Sequence, residues 1–150
     1  MANKVKISLQ EITEDSLSDI ISLEVSDSQN HLITNNAKSI AQAHFSRFSW
    51  MRAIYADNTA VGFILLYLDP DSPHYEIWRF MIDKDFQSKG YGRQAMETVI
   101  DFLKDLPDCN EIYLCYVPEK GNASWFFKSL GFVDTGEFHG NEKEMKLELL

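Results

Sequence analysis

Gln87-Ser88-Lys89-Gly90-Tyr91-Gly92-Arg93 sits between a strand-like segment and a segment of helical period. Its two glycines let the backbone turn tightly with no Cβ in the way. The amides of Ser88 to Arg93 are then expected to point outward at a helix N-terminus, where the dipole adds partial positive charge. Such a nest holds a diphosphate and needs few basic side chains to do it. Downstream, Ala95, Met96, Val99, Ile100, Leu103 and Leu106 recur at helical spacing until Pro107, which predicts a helix over 93–106. Strands predicted over 75–82 and 111–117 flank it, so this βαβ unit should carry two parallel strands.

Upstream of that unit the pattern is of antiparallel strands. Val5, Ile7 and Leu9 alternate with polar residues, and 51–55 and 60–68 form a hairpin about Asp57-Asn58. Ser16 is expected to cap a short helix, Ser39 to cap a second over 40–48, and 26–38 to be a polar connector beside the substrate. After the βαβ unit come a short helix over 123–130 closed by Gly131, and a hairpin of 132–137 with 145–149. The fold class is α/β with a mixed sheet (α+β in its antiparallel flanks) in one domain spanning residues 1–150.

Two diphosphate ligands compete for the glycine turn. Gly90-x-Gly92-x-x-Ala95 also fits a relaxed dinucleotide fingerprint. A Rossmann unit, however, sets its first glycine directly after its first strand in a repeated βα series. Here residues 83–89 intervene, three strands precede, and there is one βαβ unit. A glycine-rich turn without a ligand is the remaining reading.

Composition narrows the function classes. The 150 residues carry 14 Lys and Arg against 23 Asp and Glu, a net charge of −9, so no nucleic-acid backbone is an expected partner. The acidity suits a cationic small molecule and equally serves solubility alone. The longest apolar run, 60–68, is far short of the ~20 residues that span a bilayer, and the N-terminus lacks a signal-peptide core. No membrane association is expected. Cys109 and Cys115 read as free thiols of a reducing cytoplasm. His31, His44, His74 and His139 show no ligand spacing, and no metal is expected.

The Gln87-x-x-Gly90-x-Gly92 pattern, after Arg79-Phe80-Met81-Ile82-Asp83, resembles the acetyl-CoA signature of the GNAT superfamily of N-acetyltransferases. Asn122 with Trp125-Phe126-Phe127-x-x-Leu130-Gly131-Phe132 is similar to that family's second motif. The order of elements agrees along nearly the whole chain. More narrowly, the segments around Gln29–Ser39, Ala60–Phe63 and Thr135–Glu137 resemble bacterial spermidine and diamine acetyltransferase-like members.

The resemblance implies the GNAT fold, a central mixed sheet flanked by helices with a splayed parallel pair that admits the pantetheine arm of acetyl-CoA. It implies that main-chain groups of Phe80, Met81 and Ile82 bond that arm beside a bulge, one freed N–H facing the thioester oxygen. Gln87, Ser88, Lys89, Gly90, Tyr91, Gly92 and Arg93 would hold the diphosphate, with Phe127 beside the coenzyme. Asn122 would either hold the pantetheine amide or cap the next helix. Glu76, eleven residues before Gln87, occupies the place of a strand glutamate used as base, or else is a solvent-facing residue that draws cations.

Phe127 stands where many members carry a tyrosine that protonates the leaving thiolate. Three readings remain: Tyr116, at the exit of the partner strand, substitutes as the acid; water does; or the chain binds acyl-CoA and catalyses poorly. Glu24, Asp27, Trp50 and Trp78 are candidates to line the acceptor site, Trp50 by cation–π contact; each also reads as ordinary surface or core. The implied activity is acetyl transfer from acetyl-CoA to a primary amine such as a polyamine, by direct attack in a ternary complex. The alternatives are a protein or peptide amine as acceptor, and an acyl-CoA-binding sensor. Members of the superfamily commonly dimerise, so a homodimer is an expectation.

Overall fold

A computed structural model describes residues 4–149. Seven strands form one sheet: β1 (Ile7–Gln10), β2 (Ser49–Ala56), β3 (Thr59–Asp69), β4 (His74–Ile82), β5 (Glu111–Tyr116), β6 (Val133–His139) and β7 (Glu142–Glu148). Their spatial order is β1-β2-β3-β4-β5-β7-β6. All neighbours are antiparallel except β4 and β5, which are parallel. The helices are α1 (Leu17–Ser22), α2 (Asn36–His44), α3 (Tyr91–Lys104) and α4 (Ser124–Ser129).

Strand alternation sends side chains to two cores. Ile54, Ile64, Leu66 and Ile77 meet Met96, Val99 and Leu103 of α3, with Phe127 of α4. On the other face Ala53, Phe63, Leu65 and Met81 pack with Ile20 of α1 and Ala43 of α2. The second helix departs from the sequence expectation. Ser39 is fully buried within α2, and Asn35 caps it instead, its side chain accepting from the Lys38 amide at 2.8 Å. Ser16 stands at the start of α1, but its hydroxyl accepts from the Thr13 amide and caps no helical N–H. The helix α3 also begins two residues sooner than its apolar period suggests, because Gly90 adopts φ +83 and starts it.

The parallel pair is short. β4 meets β5 only at Glu76 with Tyr113 and Ile77 with Leu114. One step further, Leu65 pairs with Arg79 and Leu66 with Ile77, so Trp78 is an extra residue on β4. A bulge of this kind bends its strand and breaks the ladder locally. Beyond it β4 continues along β3 while β5 follows β7, and the two strands part.

At the far end of β4, Gly62 keeps the β3–β4 approach close. A Cβ there would lie 2.5 Å from the Met81 carbonyl oxygen and 2.9 Å from the Ile82 side chain. Gly62→Ala should therefore destabilise the fold by about 1–3 kcal/mol, seen as a lower midpoint in urea denaturation with an unchanged slope.

Candidate active site

Two adjoining cavities open where β4 and β5 diverge. The larger, about 590 Å³, is lined by Leu114 and Tyr116 of one sheet face and by Cys115 of the other, so it passes through the split. The smaller, about 330 Å³, runs past Met81, Ile82, Phe86, Ser88 and Gly90 to Trp125. Gln29, Ile33, Phe80 and Ala123 line both. The groove is roofed where two loops approach: a Cβ on Gly121 would sit 2.9 Å from the Ser28 carbonyl oxygen.

The glycine turn forms the mouth of the smaller cavity. Ser88 and Gly90 both adopt positive φ, at 63° and 83°. The first amide of the α3 end to find a partner is that of Gln94, on Gly90 O at 3.2 Å. Among the described residues, the amides of Ser88 to Arg93 meet no protein acceptor. These are the unsatisfied donors of a helix start, gathered on one concave surface. The Gln87 side chain turns inward and donates to Ile82 O at 2.8 Å and Gln29 Oε1 at 3.1 Å, bracing the loop to the end of β4. Lys89 is exposed; Arg93 bridges to Glu97 and Ser129; Tyr91 packs on the α3 core.

The wall between the cavities is aromatic. Phe80 stacks on Phe126 with ring centroids 5.8 Å apart, and buried Phe127 packs edge-on against Phe80 and Phe132. Asn122 lines the larger cavity, but both ends of its amide are engaged locally. Its oxygen accepts from the Ser124 amide at 2.8 Å and its nitrogen donates to Glu119 O at 2.7 Å. The Asn122 oxygen thus meets the first amide of α4 from the residue before its N-cap, Ala123.

Glu76 faces the larger cavity from the first of the two β4 positions paired with β5. Burial raises its carboxyl above the ordinary range, and His74 at 3.6 Å draws it partly back. Tyr116 reaches the same cavity and donates to Asp134 Oδ1 at 3.0 Å. Its burial, with the Asp134 carboxylate beside it, raises the phenol so that it keeps its proton at neutral pH.

The acidic lining comes from residues the sequence reading passed over. Glu142 and Glu144 on β7, with His74 and His139, complete this wall. Glu144 stands directly opposite Cys115 across β5 and β7. Arg79 lines the cavity too, held by Gln42 Oε1 at 3.2 Å and the Trp78 carbonyl at 2.9 Å, and burial lowers its pKa.

Three candidate acceptor residues lie elsewhere. Trp50 stacks on Phe102 of α3 at 5.0 Å beneath Arg52, on the far core, because its position on β2 points that way. Glu24 ion-pairs with Lys84 at 2.7 Å on the surface, its backbone amide tied to Asp83, and Asp27 is exposed nearby. Neither carboxylate lines a cavity. Trp78 does line the larger one, half-buried at the bulge. The missed pair, Glu142-x-Glu144, carries a two-residue period on one strand face, but only the insertion of β7 between β5 and β6 brings it to the split.

Residues 10–132 match the acetyltransferase (GNAT) family. The chain belongs to that family. It is 30% identical over 152 residues to a probable spermine N(1)-acetyltransferase of Bacillus subtilis subsp. natto, covering 97% of this chain and 100% of that protein. It is 29% identical, with the same coverage, to a spermine/spermidine N(1)-acetyltransferase of Bacillus subtilis strain 168. The fold matches the PaiA N-acetyltransferase of Thermoplasma acidophilum, a complex with coenzyme A, at TM-score 0.73 and 14% identity over 96% of this chain and 99% of that one.

This GNAT domain is an acetyl-CoA-dependent N-acetyltransferase, and its residues fit that co-substrate. The unpartnered amides suit a diphosphate, and the apolar groove leads from them to the split strands. Among the described residues no helix is long and apolar enough to cross a membrane. Since the Gln87 amide fixes the loop through two hydrogen bonds worth about 0.5–1.5 kcal/mol each, Gln87→Ala should weaken coenzyme A binding about tenfold by calorimetry.

Proposed function

We propose that this acetyltransferase acts on a polyamine, with Glu76 as the base that frees the reacting amine. The observation that carries the reading is one desolvated carboxylate, Glu76, at the parting of β4 and β5, with two more, Glu142 and Glu144, on the same cavity wall. The named relatives, described as acting on spermine or spermidine, support it. Among the described residues Glu142 makes no ion pair, while its strand neighbour Glu148 is matched by Lys146. Two carboxylates without a lysine or arginine partner favour a ligand with more than one ammonium group.

Each residue then has a task. The amides of Ser88 to Arg93 hold the diphosphate, and the β4 backbone beyond Ile77, with no β5 partner, bonds the pantetheine arm. Bound acetyl-CoA supplies an activated acyl thioester. An ammonium of ordinary pKa near 10.4 must lose a proton before it can attack. Glu76 accepts that proton, directly or through water, and its raised pKa brings it nearer the working pH. Glu142 and Glu144 hold the distal ammonium. Tyr116, protonated at neutral pH, is the phenol that replaces the tyrosine absent at Phe127.

Glu76→Gln should lower kcat by about a hundredfold or more, leaving acetyl-CoA affinity unchanged. The base works deprotonated, so the wild-type rate should climb with pH through a limb above the usual carboxylate range, and the variant should lack that limb. Stopped assays of free coenzyme A thiol across pH read both.

Glu142→Gln with Glu144→Gln should raise KM for spermine about tenfold while sparing KM for acetyl-CoA. The same thiol assay with an amine panel tests the acceptor class. Turnover of spermine and spermidine supports it; turnover of peptide amines alone, or binding of coenzyme A with no turnover, overturns it.

A further inference from the structure

The cavity wall holds a cluster in which the acetyl transfer described above uses Glu144 alone. Cys115 of β5, His139 of β6 and Glu144 of β7 place one ligand atom each within 4.8 Å of one another. His139 Nε2 lies 2.8 Å from Glu144 Oε2. The other carboxylate oxygen, Oε1, accepts from Thr135 Oγ1 at 3.0 Å, which fixes the plane of the carboxylate. Cys115 and Glu144 are register partners on adjacent strands, so sheet pairing itself sets their separation.

Sulfur, imidazole nitrogen and carboxylate oxygen are the donor set of tetrahedral zinc, and bond lengths of about 2.0–2.3 Å ask for donors roughly 3.3–3.7 Å apart. The His139 and Glu144 atoms need to open by less than 1 Å from 2.8 Å. All three residues line the 590 Å³ cavity, so a fourth coordination position would face the open space. Glu76 and Glu142 on the same wall add negative charge, and Thr135 is the outer hydrogen bond that orients a ligand.

We propose that Cys115, His139 and Glu144 bind a single thiophilic divalent cation of the zinc type, with its open position toward the amine end of the cavity. On binding, the Cys115 S–H bond breaks, its proton goes to solvent and the thiolate electron pair enters the metal–sulfur bond, while the proton held between His139 Nε2 and Glu144 Oε2 leaves to solvent or moves to Nδ1, freeing both atoms as ligands. The site stands apart from the coenzyme groove. Its effect on turnover rests on the acceptor reading above: the cation takes Glu144 and excludes the polyamine, while acetyl-CoA binding is untouched.

The test titrates the purified protein with Co²⁺ alone and follows thiolate-to-metal charge transfer in the near ultraviolet, then displaces it with Zn²⁺. One equivalent should develop the band and Zn²⁺ should abolish it. Cys115→Ala should give no band. His139→Ala, at an exposed position outside both cores, should weaken Zn²⁺ binding beyond the about tenfold loss expected for Thr135→Val. No band in the wild type, or equal Zn²⁺ affinity in wild type and His139→Ala, overturns the site. In the thiol assay Zn²⁺ should raise KM for spermine and leave KM for acetyl-CoA alone. If the band forms and KM for spermine does not move, the metal site stands and the exclusion of the amine, with the acceptor placement behind it, is overturned.

Discussion

One unpaired residue organises the active site. Trp78 is inserted into β4 against β3, and from that point β4 no longer meets β5. A parallel pair of ordinary length would have closed the sheet and left no passage between its faces. Two ladder positions hold the strands together at Glu76 and Ile77, and the next residues already line a cavity. The same bulge shifts the side-chain alternation of β4, so that Met81 enters one core while Phe80 and Ile82 face α3 and α4. The Glu76 carboxylate, the groove between the parted strands and the core packing thus share a single backbone irregularity.

Charge is arranged around that opening with little redundancy. The coenzyme end presents main-chain donors and few cations, since Lys89 is exposed and Arg93 is engaged by Glu97 and Ser129. The larger cavity gathers carboxylates from β4 and β7. Burial acts on Glu76 and Tyr116 in the same direction, favouring the protonated form of each. It pushes the Cys115 thiol up to about 12, with Glu76, Glu142 and Glu144 adding to the effect. Without a cation beside it, a thiol held so firmly protonated is a poor nucleophile, in keeping with direct transfer between bound partners.

The glycine turn was legible because its information is local. Gln87 to Arg93 is one contiguous turn, and the glycines state the backbone geometry themselves. The βαβ unit was legible from periodicity. The acidic wall of the larger cavity was not, since its residues meet only through sheet order: β7 lies between β5 and β6, and that insertion sets Glu144 against Cys115. Trp50, Glu24 and Asp27 lie away from both cavities for a related reason. Residue type nominated them, whereas the face of β2 and the pairing of Glu24 with Lys84 decided where they went. Ser39 misled locally, because Asn35 four residues earlier offered the cap and left Ser39 to the interior.

The outermost strand, β6, pairs with β7 at Val133 and Asp134 and again at Phe138 and His139, with a break in register between. Gly136 lies in that break at φ +90. A kinked border offers no straight row of donors and acceptors to an incoming strand. Growth of the sheet by addition of another chain is thereby discouraged on this side, even though Val133 and Phe138 leave apolar surface exposed there.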